Sequence, residues 1–575
     1  MIHYRIEPHD LNGHHYRVTL SLSRPAAEQR LSLPVWIPGS YMVREFGRHL
    51  SRLEARQGRK SIALQQLDKS TWLARCEGRG DLSVSYLVYA FDTSVRAAFL
   101  DSARGFFNGT SLCLRVEGRE DEAHGITLAG LPRGWEVATA MRSDSAGGYI
   151  AADYVELVDQ PFELGRFWRG HFSAAGALHE FVVAGAWPGF DGERLLTDTQ
   201  RICETQIAFW HGMRKPKPPF KHYVFMLNAV EDGYGGLEHR ASSALIAARR
   251  DLPRPGQTAM GEGYVTLLGL ISHEYFHAWN VKRLKPRELV RIDYTRENHT
   301  PLLWFFEGFT SYYDDLLLLR AGLIDAPRYL GLVAKTVNGV AATPGRQVQS
   351  VAQASFDAWV KYYRGDENTP NATVSYYTKG SLVALALDLT LRKEGRGTLD
   401  DAMRLLWHSS RGGAIDERDI AAALREIGGR SYAKELAAWV HGRGEMPLST
   451  LFDAAGIGQQ ETAAGLAASL GLRLAEGAFS GVQVKSVLAG SAAAAAGISA
   501  GDELLAADGW RIRRLDDAQQ WLATGEAFEL LLVRDQRVLR LTLQAAAKPA
   551  SSLSLSAAEK PSASAASLRR GWLGI

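Results

Sequence analysis

Hydrophobic and polar positions alternate close to the N terminus. Tyr16, Val18, Leu20 and Leu22 are apolar, and Arg17, Thr19, Ser21 and Ser23 between them are polar. A period of two is the mark of a half-buried strand. From Leu82 to Phe91 apolar residues fall on both faces, as in a strand enclosed within a sandwich. Pro38-Gly39-Ser40 and Glu77-Gly78-Arg79-Gly80 between these runs read as turns. Strand-like segments continue to about Ala186. A β-rich, sandwich-like domain is expected over residues 1–170.

The period changes near Glu193. Helical patterns cover 193–213, 262–282, 301–321, 376–394 and 417–427, with strands near 220–247. Thr300-Pro301 pairs a capping residue with a proline at the first helical position, and Gly322 stands where that helix should stop. A mainly helical domain is expected over 171–450. Short strands return at Leu470–Leu474, Gly481–Val487, Asp502–Ala507, Trp510–Arg513 and Phe528–Arg534, with Asp508-Gly509 as a hairpin turn and an Ala-rich helix at 491–497. This layout predicts a small, partly open barrel over 460–545. From Ala546 the chain is mostly Ala, Ser, Lys and Pro, so residues 546–575 are expected to be a disordered tail. The fold class is multidomain α+β.

Composition narrows the function classes. Lys and Arg total 66 and Asp and Glu 63, for a net charge of +3 over 575 residues. That balance gives no electrostatic case for nucleic acid or an anionic membrane as partner. Cys76, Cys113 and Cys203 are too few and too far apart for a disulfide framework. No apolar run is long enough to span a bilayer, and the first eight residues lack the pattern of a signal peptide. A cytoplasmic protein is the expectation.

The chemistry lies in the middle of the chain. His273-Glu274-Tyr275-Phe276-His277 places two imidazoles one helical turn apart, with a carboxylate beside them. Two neutral His ligands and an adjacent general base are what zinc-assisted hydrolysis needs. Such a centre takes a third protein ligand. Glu307 is the leading candidate, because an ionised carboxylate within Leu302–Phe309 is costly without a cation or a hydrogen-bond network. His299, just before the Thr300-Pro301 cap, is its rival. Gly235-Gly236-Leu237-Glu238-His239 offers a glycine-rich approach to substrate and one carboxylate. Tyr377, at the start of a helix with Thr378-Lys379-Gly380, offers a hydroxyl for an oxyanion.

These residues carry a resemblance. His273–Pro286 (HEYFHAWNVKRLKP), Arg296–Asp315 (RENHTPLLWFFEGFTSYYDD) and Ser375–Leu389 (SYYTKGSLVALALDL) resemble the glycyl aminopeptidase family of zinc peptidases, and Pro34–Phe46 (PVWIPGSYMVREF) resembles its N-terminal domain. The resemblance runs over about residues 1–545. It implies a β domain, a thermolysin-like catalytic domain and a PDZ domain in that order. It further implies one zinc per chain on His273, His277 and Glu307, with Glu274 as base. Glu238, with Gly235 and Gly236, would hold the substrate's free amine. Tyr377 would support the oxyanion, with Tyr376 as the neighbouring alternative. One departure is visible: Ser311 stands where related zinc sites often carry an Asp that orients a zinc ligand. Leu470-Gly471-Leu472 resembles the carboxylate-binding loop of bacterial PDZ domains, which add an extended chain end to a sheet edge.

The expected function is a zinc aminopeptidase that releases N-terminal Gly or Ala. Its partners would be peptides with a free N terminus, and chain ends at the PDZ domain. A PDZ-assisted endopeptidase or processing protease is the first alternative, and a non-catalytic PDZ scaffold the second.

Overall fold

The computed structural model describes residues 2–575 except 79, 215, 478–480, 523–524 and 545–550. Two compact units are present. One comprises Met1–Asn298, Arg320–Leu323 and Arg404–Ile415, and the other His299–Leu319, Ile324–Met403 and Asp416–Ile575.

In the first unit the alternating N-terminal pattern becomes the strand His15–Leu22, with Tyr16, Val18, Leu20 and Leu22 buried. It pairs antiparallel with Ile2–Asp10 on one side and Leu82–Tyr89 on the other. These strands lie within an eight-stranded sheet, and two four-stranded sheets accompany it. Ile6, Val18, Val84, Phe107 and Phe162 share one core cluster, which is why an alternating sequence suffices here. The run expected to be enclosed to residue 91 ends sooner: the strand stops at Tyr89, and Phe91 is exposed.

The same unit holds a five-stranded sheet in the order Trp168–Ala174, Ala177–Ala184, His222–Val230, Ser242–Ala248, Tyr234–Glu238. The middle three strands are parallel, and Tyr234–Glu238 runs antiparallel at the edge. The helices Gly192–His211 and Glu262–Phe276 pack against this sheet and each other. The first is capped by Asp191, whose carboxylate accepts from Arg194 N at 3.0 Å. The second is shorter than the expected 262–282. It ends at Phe276 with His277 as its cap, because the chain tightens into a turn in which Ala278 N donates to Tyr275 O at 3.0 Å.

The expected helix 301–321 forms as Leu303–Phe306 and Gly308–Arg320, meeting at Glu307 in the second unit. Backbone bonding runs on through the joint. Glu307 N donates to Leu303 O at 2.7 Å, and Glu307 O accepts from Ser311 N at 2.8 Å. A second helix, Thr378–Glu394, crosses it very closely. A methyl group at Gly380 would stand 2.6 Å from Trp304 O and 2.9 Å from the Cα of Gly308. Only glycine permits that approach.

The C-terminal sheet corrects the barrel expectation. Leu472–Gly477, Gly481–Val487, Glu503–Ala507, Ala527–Arg534 and Arg537–Gln544 follow one another in an open sheet, with Trp510–Arg511 beside Glu503–Ala507. Among the described residues its first and last strands do not pair, so the expected partly open barrel is an open sheet. Asp508 and Gly509 both adopt positive φ (47° and 80°), as the hairpin signal requires.

The tail is also corrected. Residues 546–550 lie outside the described residues, but Ser551–Ala557 is a strand paired with Ile457–Ala463, and Ala563–Leu573 is a helix. Low complexity hid a usable pattern. Leu553 and Leu555 alternate with serines, Asn338 clamps both backbone groups of Leu553 at 2.8 Å, and Trp572 is buried. A few apolar anchors on a preformed surface outweigh the composition.

Candidate active site

The helix Glu262–Phe276 is buried along most of its length, so its last turn is held rigidly. Its end carries the two imidazoles. His277 is 1% exposed, and its Nδ1 lies 2.7 Å from the backbone carbonyl of Asn280. A carbonyl only accepts, so Nδ1 carries the proton and Nε2 presents a lone pair. That lone pair faces His273 Nε2 at 3.1 Å. Two imidazole nitrogens at this separation call for a cation or a proton between them, so this donor pair fits a metal. The orientation that the absent Asp put in question is supplied for His277 by main chain. The loop that supplies it is strained: Val281, a β-branched residue, has φ 116°. Such a conformation typically costs ~1–3 kcal/mol and persists only where its surroundings impose it.

Glu274 is 5% exposed and projects toward the edge strand Tyr234–Glu238. A Cβ at Gly236 would overlap its carboxylate, so the second glycine of the Gly-Gly motif makes room for the Glu274 side chain. At the end of that strand Glu238 is likewise 5% exposed. One ligand atom from each of Glu238, Glu274 and His277 lies within 4.8 Å of the others. Arg96 of the β domain fixes the strand from outside, with Nη2 donating to Gly236 O at 3.1 Å. Gly39 of the same domain, at φ 98°, lies directly against Glu238. A Cβ there would be 2.5 Å from Glu238 Oε1. Thus the β domain reaches the carboxylate that sequence reading set aside for the substrate amine.

In the second unit Glu307 is 2% exposed among Trp304, Phe305, Phe306 and Phe309, all buried. The Gly308–Gly380 crossing brings Tyr377 under its influence. Burial, and then the charge of Glu307, raise the Tyr377 pKa well above its ordinary value, so the hydroxyl stays a proton donor. Tyr377 Oη lies 3.3 Å from Tyr363 Oη, whereas Tyr376 is fully buried. His299, the rival ligand, has Nδ1 at 2.9 Å from Phe356 O and its ring stacked on Phe356. In the PDZ segment Leu470 ends the helix Leu466–Leu470, and Leu472 begins a strand. Gly471 between them caps the helix, and its N–H bonds to Ala467 O and Ala468 O.

Asn280, Arg96 and Tyr363 escaped the sequence reading. Asn280 acts through its backbone carbonyl and Arg96 bonds to a backbone carbonyl of a distant strand, so neither leaves a motif. Tyr363 had a weak signal as one of two adjacent tyrosines, flanked by Lys361 and Arg364. Among the described residues no helix is long and apolar enough to cross a membrane.

Comparison with known proteins adds the family. Residues 266–383 match the M61 glycyl aminopeptidase family, residues 3–166 the peptidase M61 N-terminal domain, and residues 483–534 a PDZ domain. No curated protein matches the chain. Among solved structures, the chain is similar to an aminopeptidase N family protein from Idiomarina loihiensis. That likeness has 36% identity and a TM-score of 0.94, and it covers 100% of both chains. A more distant likeness, with 14% identity and a TM-score of 0.47, is to a mutant M1 zinc metallopeptidase from Deinococcus radiodurans bound to a Tyr-Ser-Ala substrate. It covers 78% of this chain and 94% of that one. With full-length similarity of this kind and matches to both characteristic domains, the chain belongs to the M61 glycyl aminopeptidase family and is a metallopeptidase.

Proposed function

We propose that this chain is a zinc-dependent aminopeptidase that releases Gly and Ala from the N termini of peptides. The observation that carries the reading is the buried carboxylate of Glu238 beside Glu274 and His277 of the HExxH motif. With Glu274 placed for proton transfer, a second acid beside it is available to pair with a cationic α-amine, which fixes the scissile bond one residue from the chain end.

His273, His277 and Glu307 are the residues that would hold the metal, one ion per chain. Bound there, zinc would polarise the peptide carbonyl and lower the pKa of water. The residues do the rest. Glu238 pairs with the amine, and Gly235 and Gly236 let the peptide backbone approach the edge strand. Glu274 takes a proton from the attacking water and returns it to the leaving amine. Tyr377 donates to the oxygen that becomes negative. The backbone of Gly39 closes one side of the Glu238 carboxylate, which disfavours a large apolar first residue.

Two measurements test this. Peptides beginning with Gly or Ala should be cleaved at least about tenfold faster than those beginning with Leu or Phe, since a cramped pocket discriminates by this order per added group. Equal rates across the panel would remove the small-residue claim. Separately, Glu307→Gln should lower zinc content clearly below one per chain, because an amide is a poorer ligand than a carboxylate. Full occupancy in that variant would move the third-ligand role to another residue, with His299 next in line.

A further inference from the structure

A cavity of about 60 Å³ lies beside Glu238 in the first unit. That is room for a few water molecules or one small polar group. Asp159, Glu238, His239, Arg240, Lys282 and Lys285 contribute to its lining. Three cationic side chains therefore face two carboxylates.

Their pairing is incomplete. Lys282 Nζ is taken by Asp159 at 2.6 Å. Lys285 is half-buried, and among the described residues no hydrogen bond or ion pair engages its ammonium. Arg240 is exposed at the mouth, again with no ion pair to its guanidinium among the described residues. His239 is 1% exposed. Its Nδ1 stands 3.5 Å from Asp159 Oδ1, too long for a good hydrogen bond, and its Nε2 has no hydrogen-bond partner among the described residues. A buried polar group left in this state normally has a partner outside the protein.

Electrostatics point the same way. Burial, then Arg240 and Lys282, lower the Lys285 pKa to about 8. Burial and Arg240 lower that of Arg283 to about 10. Asp159 is held well below the usual carboxylate range by Lys282 and His239, against the effect of burial. It is therefore ionised and already committed to Lys282. The site carries one positive charge too many, and an anion would relieve it.

We propose that this cavity binds a single carboxylate group, received by Lys285 and Arg240 with His239 donating. A negative charge placed between Lys285 and Arg240 relieves their mutual repulsion, and a flat two-oxygen acceptor suits an Arg–Lys pair. The favoured source is the side chain of an N-terminal aspartate or glutamate. This rests on the reading of Glu238 as the amine site: Glu238 lines the same cavity, so amine and side-chain carboxylate would belong to one residue. The enzyme would then accept acidic first residues besides small ones. The other source is a free carboxylic acid.

The test uses the metal-loaded, full-length enzyme and peptides that differ only in the first residue, Asp, Glu, Asn or Ala. Wild type should cleave the Asp or Glu peptide at least about tenfold faster than the Asn peptide, since a charge-assisted bond in a desolvated site is worth that or more. Lys285→Met should lower the Asp-to-Ala ratio of kcat/KM by roughly tenfold to a hundredfold. Arg240→Gln, at an exposed position, should shift it in the same direction by less, and serves if Lys285→Met fails to fold. The second arm measures the thermal shift of each protein with succinate. If succinate stabilises wild type but not the variants, while Asp and Asn peptides react alike, the site takes a free acid. The carboxylate assignment then stands and the substrate source changes. If no peptide preference depends on Lys285 or Arg240 and succinate shifts neither protein, the cavity holds water only and the proposal is overturned. Loss of Ala-peptide cleavage in wild type would instead count against the aminopeptidase reading, and the succinate arm would still report on the cavity.

Discussion

Glu274→Gln should retain its zinc and lose kcat by ~10²–10⁴-fold, the usual worth of a positioned general base. The substitution is nearly isosteric, which matters because the Glu274 side chain lies tight against Gly236. The His277 imidazole keeps its place, since its ring is oriented by Asn280 O. KM should change little, because the carboxylate serves the proton transfer more than ground-state binding. Metal analysis and steady-state kinetics on the same sample check this. Near wild-type turnover in a zinc-replete variant would sink the proton-transfer role.

Glu238→Ala should cut kcat/KM on a free-amine peptide by roughly tenfold to a few hundredfold. An α-amine is mostly protonated at neutral pH, and Glu238 is 5% exposed. A charge-assisted hydrogen bond in such surroundings contributes roughly 1.5–3 kcal/mol. The loss should be selective: the variant should discriminate less than wild type between a peptide and its N-acetylated form. A variant that remains as selective for the free amine would reduce Glu238 to a structural residue at the strand end, and the endopeptidase reading would move ahead.

Much of this was legible in the sequence because local pattern and tertiary environment agreed. Tyr16, Val18, Leu20 and Leu22 alternate and are buried as one face of a strand. The apolar residues before His273 announced a buried helix, and Asp508-Gly509 announced its hairpin. Where the reading failed, the deciding contacts lay far away in sequence. Ser551–Ala557 looked disordered by composition, yet Asn338 and the strand Ile457–Ala463 hold it in place. The helix expected to run to residue 282 ends at Phe276, before a turn whose strained Val281 no propensity would suggest. The contact of Gly39 with Glu238 joins residues some two hundred positions apart, and the glycine alone looked like an ordinary turn. Backbone groups that orient side chains, such as Asn280 O, leave no residue-type signature at all. The carboxylate cavity was invisible for a related reason: His239, Arg240 and Lys285 acquire meaning only from which neighbours are already paired.

The most direct measurement is the rate at which the metal-loaded wild type releases alanine from one Ala-initiated peptide, assayed with its N terminus free and acetylated. If Glu238 reads the α-amine beside the HExxH residues, the free peptide should be cleaved far faster, by on the order of tenfold to several hundredfold for the lost charge pairing alone. Equal rates on the two forms would contradict an aminopeptidase.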